Sequence, residues 1–149
     1  MSITALTGLF KGKTDIKKMS AAIDATATAM LAKNPATVVL TASDEADGTA
    51  LINIRIADAA GTTIAQRAVV RFWVAAASFG APNAGAGQTA FAVTGGTELD
   101  EETNLADYRI LTAATGLAEV TLTGANATYH IMAECNGLAY TTSVTITGN

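Results

Sequence analysis

The sequence has few of the residues on which most catalytic and metal sites depend. Its 149 residues include one histidine, one cysteine and two prolines, and only 15% are charged. The single cysteine, Cys135, excludes a disulfide within the chain, and a zinc site would need several more Cys or His ligands. No apolar run approaches the ~18 residues of a membrane-spanning helix, so we expect no membrane partner. Residues 3–10 lack a basic leader, so we expect no secretory signal. We also expect no cofactor.

The composition is that of a folded chain with an uncharged surface. Half of the residues are apolar, which excludes a disordered polypeptide. Alanine and threonine together supply 55 of the 149 residues, and threonine suits the pleated surface of a sheet. Two interpretations of this surface stay open: it contacts many neighbouring molecules, or it is an exposed sheet without a partner.

Charge is divided unevenly along the chain. Residues 1–35 hold five lysines and two aspartates, for a net charge of +3, whereas residues 36–149 have a net charge of −7. A cationic segment beside an anionic body could bind an acidic surface, or it could simply keep a short helix soluble. Nucleic acid is a poor fit, because the body repels phosphates and the cationic segment has one aromatic residue, Phe10.

The periodicity predicts two domains, an N-terminal arm with an amphipathic helix over 1–36 and a β-domain over 37–149. Residues 14–34 have helical spacing, with Thr14 as N-cap, and Asn34-Pro35 ends the helix. The tail 1–13 contains two glycines and is expected to be extended or irregular. The apolar stripe of the helix consists of Ile16, Met19, Ile23 and Met30.

From Thr37 onward the period changes to two, which is typical of strands. Leu51–Ile56 shows this best, since three isoleucines alternate with Asn53 and Arg55. The sequence predicts an acidic loop over Glu98–Asp107. It also predicts a long loop over 76–97, in which 89–93 could form a short strand. Further strands are predicted at 38–43, 68–75, 108–112, 118–123, 129–135 and 138–147. About seven short strands with turns every ten residues are typical of an Ig-like antiparallel β-sandwich; a small barrel or jelly roll is the alternative.

The clearest local signal is a hairpin around Asn136-Gly137. These two residues supply the positive φ angles that a type I′ turn requires. A two-residue loop pairs Cys135 with Leu138, and it places Cys135 on the apolar face and His130 on the opposite one. On this register we expect Tyr140 to be buried and Trp73, on strand 68–75, to be a partly covered surface aromatic.

The candidate chemical groups favour no catalytic site. His130 and Cys135 lie on opposite faces of one strand, so they cannot act as nucleophile and base. Two acidic stretches, 44–48 and 98–104, could ligate calcium through oxygen, but neither has EF-hand spacing, and solvated loops are the simpler interpretation. We therefore expect no enzymatic activity and no metal.

The N-terminal arm carries more exposed apolar and basic surface than a free tail should. It either packs on its own sandwich or docks on a partner or on copies of the chain, and we favour docking. The predicted partner-binding residues are Ile3, Leu6, Leu9, Phe10, Lys11, Lys13, Ile16, Lys17, Lys18, Met19, Ile23 and Met30.

Three stretches, Val38–Gly48, Ile54–Gly61 and Ile64–Val74, resemble the Ig-like virion proteins of tailed bacteriophages. They carry a V-x-L-T-A-S-D-E-A strand and turn, a D-A-x-G turn and an A-x-R-x-V-V strand. The resemblance covers about 37–147. It implies an Ig-like fold and a structural role in the particle, specifically as a capsid decoration (cement) protein that binds the major capsid protein.

The resemblance also implies location and stoichiometry. The chain would lie on the capsid surface of a virion assembled in the bacterial cytoplasm, as a homo-oligomer for which a trimer suits a local threefold axis and a dimer is the alternative. Ig-like modules also occur on phage tails, necks and baseplates. A different hypothesis is a host-surface or carbohydrate-binding module, with Trp73, Tyr108 and Tyr140 as stacking residues.

Overall fold

The computed structural model describes residues 19–24 and 37–148. Residues 19–24 form a helical segment, α1, inside the helix predicted over 14–34. The remainder of that predicted helix and the predicted tail 1–13 lie outside the described residues. Contacts divide the chain into two units, Met1–Asn34 and Pro35–Asn149, and the boundary expected at 36/37 stays a prediction. No helix among the described residues is long and apolar enough to cross a bilayer.

The second unit is a sandwich of two antiparallel sheets, as the sequence predicts. Sheet A has the strand order β1-β2-β7-β4, and sheet B has the order β5-β6-β3-β8-β9. Within residues 37–148 the nine strands are β1 (Thr37–Asp44), β2 (Thr49–Ala57), β3 (Val69–Ala75), β4 (Gln88–Thr94), β5 (Gly96–Thr103), β6 (Asp107–Thr112), β7 (Leu117–Gly124), β8 (Thr128–Cys135) and β9 (Leu138–Thr145).

The strand positions match those of an immunoglobulin variable-type sandwich, in which four strands face five. The chain reaches these positions in a different order. It passes from β3 to β4 at the far edge of sheet A, crosses to sheet B through Gly95, and only then adds β5 and β6 beside β3. Gly95 has a φ of 67°, a left-handed value that suits a one-residue crossing between sheets.

The core lies between the two sheets and follows the alternation of the strands. The three isoleucines of β2 and three residues of β3, Val70, Phe72 and Val74, are fully buried and face one another. Aromatic rings join the sheets, because Phe91 of β4 stacks on Tyr108 of β6 with ring centroids 3.6 Å apart. The inward residues of both sheets therefore make one continuous apolar layer.

The hairpin prediction is confirmed in register. Cys135 pairs with Leu138, Ala133 with Tyr140, and Tyr129 with Val144. Asn136 and Gly137 have φ angles of 53° and 77°, as a type I′ turn requires. The buried Cys135 thiol is also as predicted.

The acidic stretch expected to be a loop is a strand. Residues 96–103 form β5, the edge strand of sheet B, which pairs with β6. The register shifts twice, between Glu98 and Asp100 and between Glu101 and Thr103. These irregularities break the alternation by which a strand is recognised, and charge on an edge strand opposes unwanted pairing with other chains.

Three other side chains differ from expectation in their exposure. Trp73 is only 8% exposed, because the chain after β3 folds over it. Met132, which the hairpin register places on the same face as His130, is fully buried beside Trp73 in a second apolar cluster. Tyr140, expected to be buried, is 45% exposed, since it lies on the edge strand β9 near the hairpin turn.

The close approach of Gly124 to Tyr129 is a testable feature of the core. A Cβ atom at Gly124 would lie 2.3 Å from the Tyr129 Oη atom, which donates a hydrogen bond to the Ala125 carbonyl. We expect Gly124→Ala to lower the free energy of unfolding by about 1–3 kcal/mol through overpacking.

Tyr129→Phe alone should cost about 1 kcal/mol through the lost hydrogen bond. In the Gly124→Ala background it should cost less or stabilise, because it removes the atom that clashes most closely. Urea unfolding of the unmodified chain, the two single variants and the double variant measures the coupling between the two substitutions. Additive effects would contradict the close approach.

Candidate interaction surfaces

The histidine and cysteine lie on opposite faces of β8, so the structure does not bring them together. A contact missed from the sequence joins His130 to Ser78, with Nδ1 and Oγ 3.3 Å apart. No acidic side chain of the described residues is hydrogen-bonded to this imidazole. The contact anchors the loop after β3 to sheet B, and no spacing in the sequence signals it.

The outer face of sheet B, which points away from the core, centres on Arg71 and Trp73. The Arg71 guanidinium binds both oxygens of the buried Asp107 carboxylate, at 3.1 Å from Nε and 2.7 Å from Nη2. Its Cζ atom lies 5.0 Å from the centre of the Trp73 ring, within cation–π range. The buried Asp107 carboxylate needs a cation bonded to it, and Arg71 of the central strand β3 supplies that cation.

The loop 76–83 covers part of this outer face, and we call it the lid. The Trp73 indole nitrogen donates a hydrogen bond to the Gly80 carbonyl at 2.8 Å, and the Asn83 amide donates to the Val74 carbonyl at 2.9 Å. A bridge between Ala75 and Pro82 closes the lid at its base. The lid therefore buries the tryptophan and is tied to β3 at three points.

Phe79 lies at the tip of the lid in an unusual conformation. It is the third residue of the turn Ala77–Gly80, which the Gly80 amide closes by bonding the Ala77 carbonyl at 2.9 Å. Its φ is 57° and its side chain is 66% exposed. Glycine or asparagine usually fills this turn position, and a bulky residue there costs about 1–3 kcal/mol. The fold therefore holds a large apolar side chain in solvent at some cost in stability.

The acidic edge strand β5 uses its carboxylates to hold the chain together. Glu101 accepts hydrogen bonds from the Tyr108 hydroxyl at 2.9 Å and from the Leu105 amide at 2.7 Å. Burial, followed by the Glu101 contact, raises the pKa of Tyr108. Glu102 forms an ion pair with Arg109.

The turn 44–48 also uses its carboxylates within the fold. Asp47 accepts from the Thr49 amide at 3.1 Å, and Asp44 binds Ala46 and Thr147. Within the described part of the chain, no three His, Cys, Asp or Glu side chains are grouped so as to hold a metal ion. Asp44, Asp47 and Glu101 of the two acidic stretches thus serve as hydrogen-bond acceptors within the fold.

One end of the sandwich carries several exposed apolar side chains, and we call it the Thr37 end. Strand registers place there Thr37, Gly95, the turn 113–116 and the turn Asn136-Gly137. The large apolar side chains exposed at this end are Val69, Leu117, Leu138 and Tyr140. Leu138 and Tyr140 lie on the edge strand β9, Val69 lies on β3 of the same sheet, and Leu117 lies on β7 of sheet A.

A cavity of about 330 Å³ opens at the Thr37 end. Most of its lining is apolar, and Glu119 supplies its one carboxylate. Thr94 donates a hydrogen bond to that carboxylate at 2.8 Å. The lining includes Ile54, Gly95, Ala113, Leu117, Ala118 and Glu119.

Two of the predicted partner-binding residues, Met19 and Ile23, lie on α1. Met19 is half-buried and Ile23 is 58% exposed. The other ten, Ile3, Leu6, Leu9, Phe10, Lys11, Lys13, Ile16, Lys17, Lys18 and Met30, lie outside the described residues. Their role stays a prediction.

The aromatic residues suggested for carbohydrate stacking do not form a platform. Trp73 lies under the lid, and Tyr108 is 2% exposed in the core. Only Tyr140 is open to solvent, and stacking on a sugar needs an accessible ring face. The suggestion that these three rings act together is therefore wrong.

The Asp44–Thr147 contact gives a pH prediction. The Thr147 hydroxyl, then its amide, lowers the pKa of Asp44 below the usual 3.8. A carboxyl whose pKa is lower in the folded chain stabilises the fold above pH 4, and this contribution is lost as the pH falls through the folded-state pKa. We expect Thr147→Val to raise the Asp44 pKa toward its usual value and to make stability less dependent on pH below 4.

Carboxyl titration by NMR measures this change. Thr145→Val is the matched control, because Thr145 bonds Thr128 and does not contact Asp44. An Asp44 pKa that is unchanged in Thr147→Val would contradict the assignment.

No protein-family model and no curated protein matches this sequence. Among solved structures, the chain is similar to a β-glucuronidase from Parabacteroides merdae, with a TM-score of 0.50 and 13% sequence identity. The match covers 75% of this chain but only 12% of that enzyme. The likeness shows that this sandwich occurs as a small part of a much larger protein, and it concerns the fold alone.

Proposed function

We propose that this chain is a non-enzymatic structural protein of a tailed-phage virion, and specifically a decoration protein that binds the major capsid lattice. The observation that supports it most is the exposure of Val69, Leu117, Leu138 and Tyr140 at one end of a rigid sandwich. A decoration protein needs such an end, because it must bind a preformed surface without unfolding. The proposal that the partner is a capsid protein comes from the resemblance of 37–147 to Ig-like virion proteins.

The residues that carry this resemblance occupy structural positions. Val38 and Leu40 of the first motif are buried in β1. Asp58 of the D-A-x-G turn accepts hydrogen bonds from the Ala60 and Thr62 amides at 2.9 and 2.8 Å. These motifs therefore support the Ig-like fold directly, and they support the virion role only through the resemblance.

The mechanism is the burial of apolar surface at subunit junctions. At roughly 25 cal/mol per Å², about 400 Å² of buried apolar surface per copy corresponds to about 10 kcal/mol before the costs of association. Repetition over a shell multiplies this contribution. Carboxylates that accept hydrogen bonds within the turns of the sandwich keep its shape fixed during docking.

The arm supplies most of the proposed contacts with the capsid or with other copies. It carries the predicted partner-binding residues, and its positive charge would favour an acidic capsid surface. We propose that the chain acts on the capsid surface as a homo-oligomer, with a trimer matching a local threefold axis.

Deletion of 1–34 should abolish binding to capsids of the parent phage that lack this protein, while circular dichroism still shows a folded sandwich. In the full chain, reversal of Lys11, Lys13, Lys17 and Lys18 to glutamate should weaken binding at least ~10-fold, because each lost contact to an acidic surface adds to the effect. Co-sedimentation with capsids measures both.

Lys33→Glu is the matched control, since Lys33 is outside the predicted set, and it should bind normally. Undiminished binding by the truncated chain would refute the role of the arm. Binding of the intact chain to purified tails, and not to capsids, would refute the capsid placement in favour of a tail, neck or baseplate module.

A further inference from the structure

The turn between β8 and β9 joins an asparagine directly to a glycine at the surface. Asn136 and Gly137 are both exposed. A Cβ atom built at Gly137 would meet no atom within 4 Å apart from its chain neighbours. Solvent therefore reaches the peptide bond between the two residues. Because glycine has no side chain, the nitrogen of this peptide bond is also unshielded on the Gly137 side.

The Gly137 backbone N–H is not the donor that closes the hairpin turn. Cys135 pairs with Leu138 across the turn. In a four-residue turn the closing hydrogen bond runs from the N–H of the last residue to the carbonyl of the first. Leu138 supplies that donor, so loss of the Gly137 proton breaks no hydrogen bond between β8 and β9.

We propose that Asn136 is a site of spontaneous deamidation, at which the asparagine becomes aspartate or isoaspartate. The Gly137 nitrogen gives its proton to a solvent base and attacks the Asn136 Cγ atom, so that a carbon–nitrogen bond forms. The Cγ–Nδ2 bond then breaks, and Nδ2 takes a proton from solvent and leaves as ammonia. The product is a five-membered cyclic imide.

Water completes the reaction by opening this ring. Addition of water at Cγ breaks the new carbon–nitrogen bond and gives aspartate. Addition at the Asn136 backbone carbonyl breaks the original peptide bond and gives isoaspartate. In both cases the nitrogen regains a proton, and nothing is oxidised or reduced. The inference does not rest on the virion proposal, because it uses only the hairpin turn and water.

The folded turn slows this reaction because it fixes the torsion that ring closure must change. A type I′ turn holds ψ of its first central residue near about +30°. In an L-residue this angle directs the following nitrogen away from Cβ. Attack requires a rotation that carries the Gly137 nitrogen toward the Asn136 side chain, and that rotation disrupts the turn. The reaction therefore takes place in molecules whose hairpin tip has opened locally.

The two products fit the hairpin differently. Aspartate keeps the backbone unchanged, and Asp-Gly suits a type I′ turn as Asn-Gly does. Isoaspartate carries the backbone through its side-chain carbon, which adds one backbone atom to a two-residue loop. Since turn type and loop length fix the register of a hairpin, isoaspartate weakens the pairing of the edge strand β9 with β8.

The test is incubation of the full chain at mildly alkaline pH, followed by peptide mass spectrometry. Conversion of Asn136 should speed up as the pH rises, because the attacking nitrogen must lose its proton. It should be at least ~10-fold faster in the urea-unfolded chain, which needs no opening step. Asn104 is the internal control, since it is also exposed but precedes Leu105, whose side chain shields the nitrogen. Asn104 should keep its mass.

Two variants separate the reaction from its consequence. Asn136→Gly removes the reacting amide and leaves Gly-Gly, which suits the turn, so its hairpin peptide should keep its mass. Asn136→Asp carries the charge of the product on a normal backbone, and it should unfold at nearly the same urea concentration as the fresh chain. The isoaspartyl fraction of the aged chain, separated by chromatography, should unfold at a lower one.

Three results would overturn the proposal. The first is an Asn136 peptide that keeps its mass in both the folded and the unfolded chain, or that changes no faster than the Asn104 peptide. The second is conversion at equal rates in the folded and unfolded chains, which would contradict control by the turn. The third is an isoaspartyl fraction as stable as Asn136→Asp, which would contradict the weakened pairing of β9.

Discussion

The second half of strand β3 is buried on both faces, and this constraint organises the rest of the sandwich. Its inward residues Val70, Phe72 and Val74 form the core, while Trp73 and Ala75 point outward and are also buried. Sheet A covers the inward residues. The outward residues are covered by the chain's own lid, which the Trp73–Gly80 hydrogen bond holds in place. Phe79 is the third residue of the tight turn that the Gly80 amide closes, and it is exposed there with a positive φ.

The ionisable side chains of the sandwich mostly stabilise this arrangement. Asp107 orients Arg71 over the Trp73 ring, Glu101 ties β5 to Tyr108, and Asp44 joins the first strand to the C-terminal end of the described chain. Such contacts contribute little individually when exposed, and more when one partner is buried, as Asp107 is. Their combined effect is a rigid body whose turns are fixed, which suits a protein that binds other proteins through its surface.

The parts of the fold that depend on local pattern could be predicted from the sequence. The alternation of β2 and the Asn136-Gly137 turn identify strands and register without knowledge of their partners. β5 could not be recognised, because its two register shifts place charged residues on both faces of an edge strand. The burial of Trp73, the positive φ of Phe79 and the Ser78–His130 contact depend on the lid, whose path is set by tertiary hydrogen bonds that leave no periodic signal.

Hydrogen exchange at the Trp73 indole N–H and the Asn83 amide tests most directly whether the lid is a fixed part of this fold. Both groups are donors in bonds that exist only when the lid is closed on β3. If the lid is closed, NMR will show both groups exchanging about as slowly as core amides of β3, such as that of Val74. Exchange of these two groups at the rate of an unstructured peptide, while the Val74 amide stays protected, would show an open lid and would contradict the rigid presentation of Phe79.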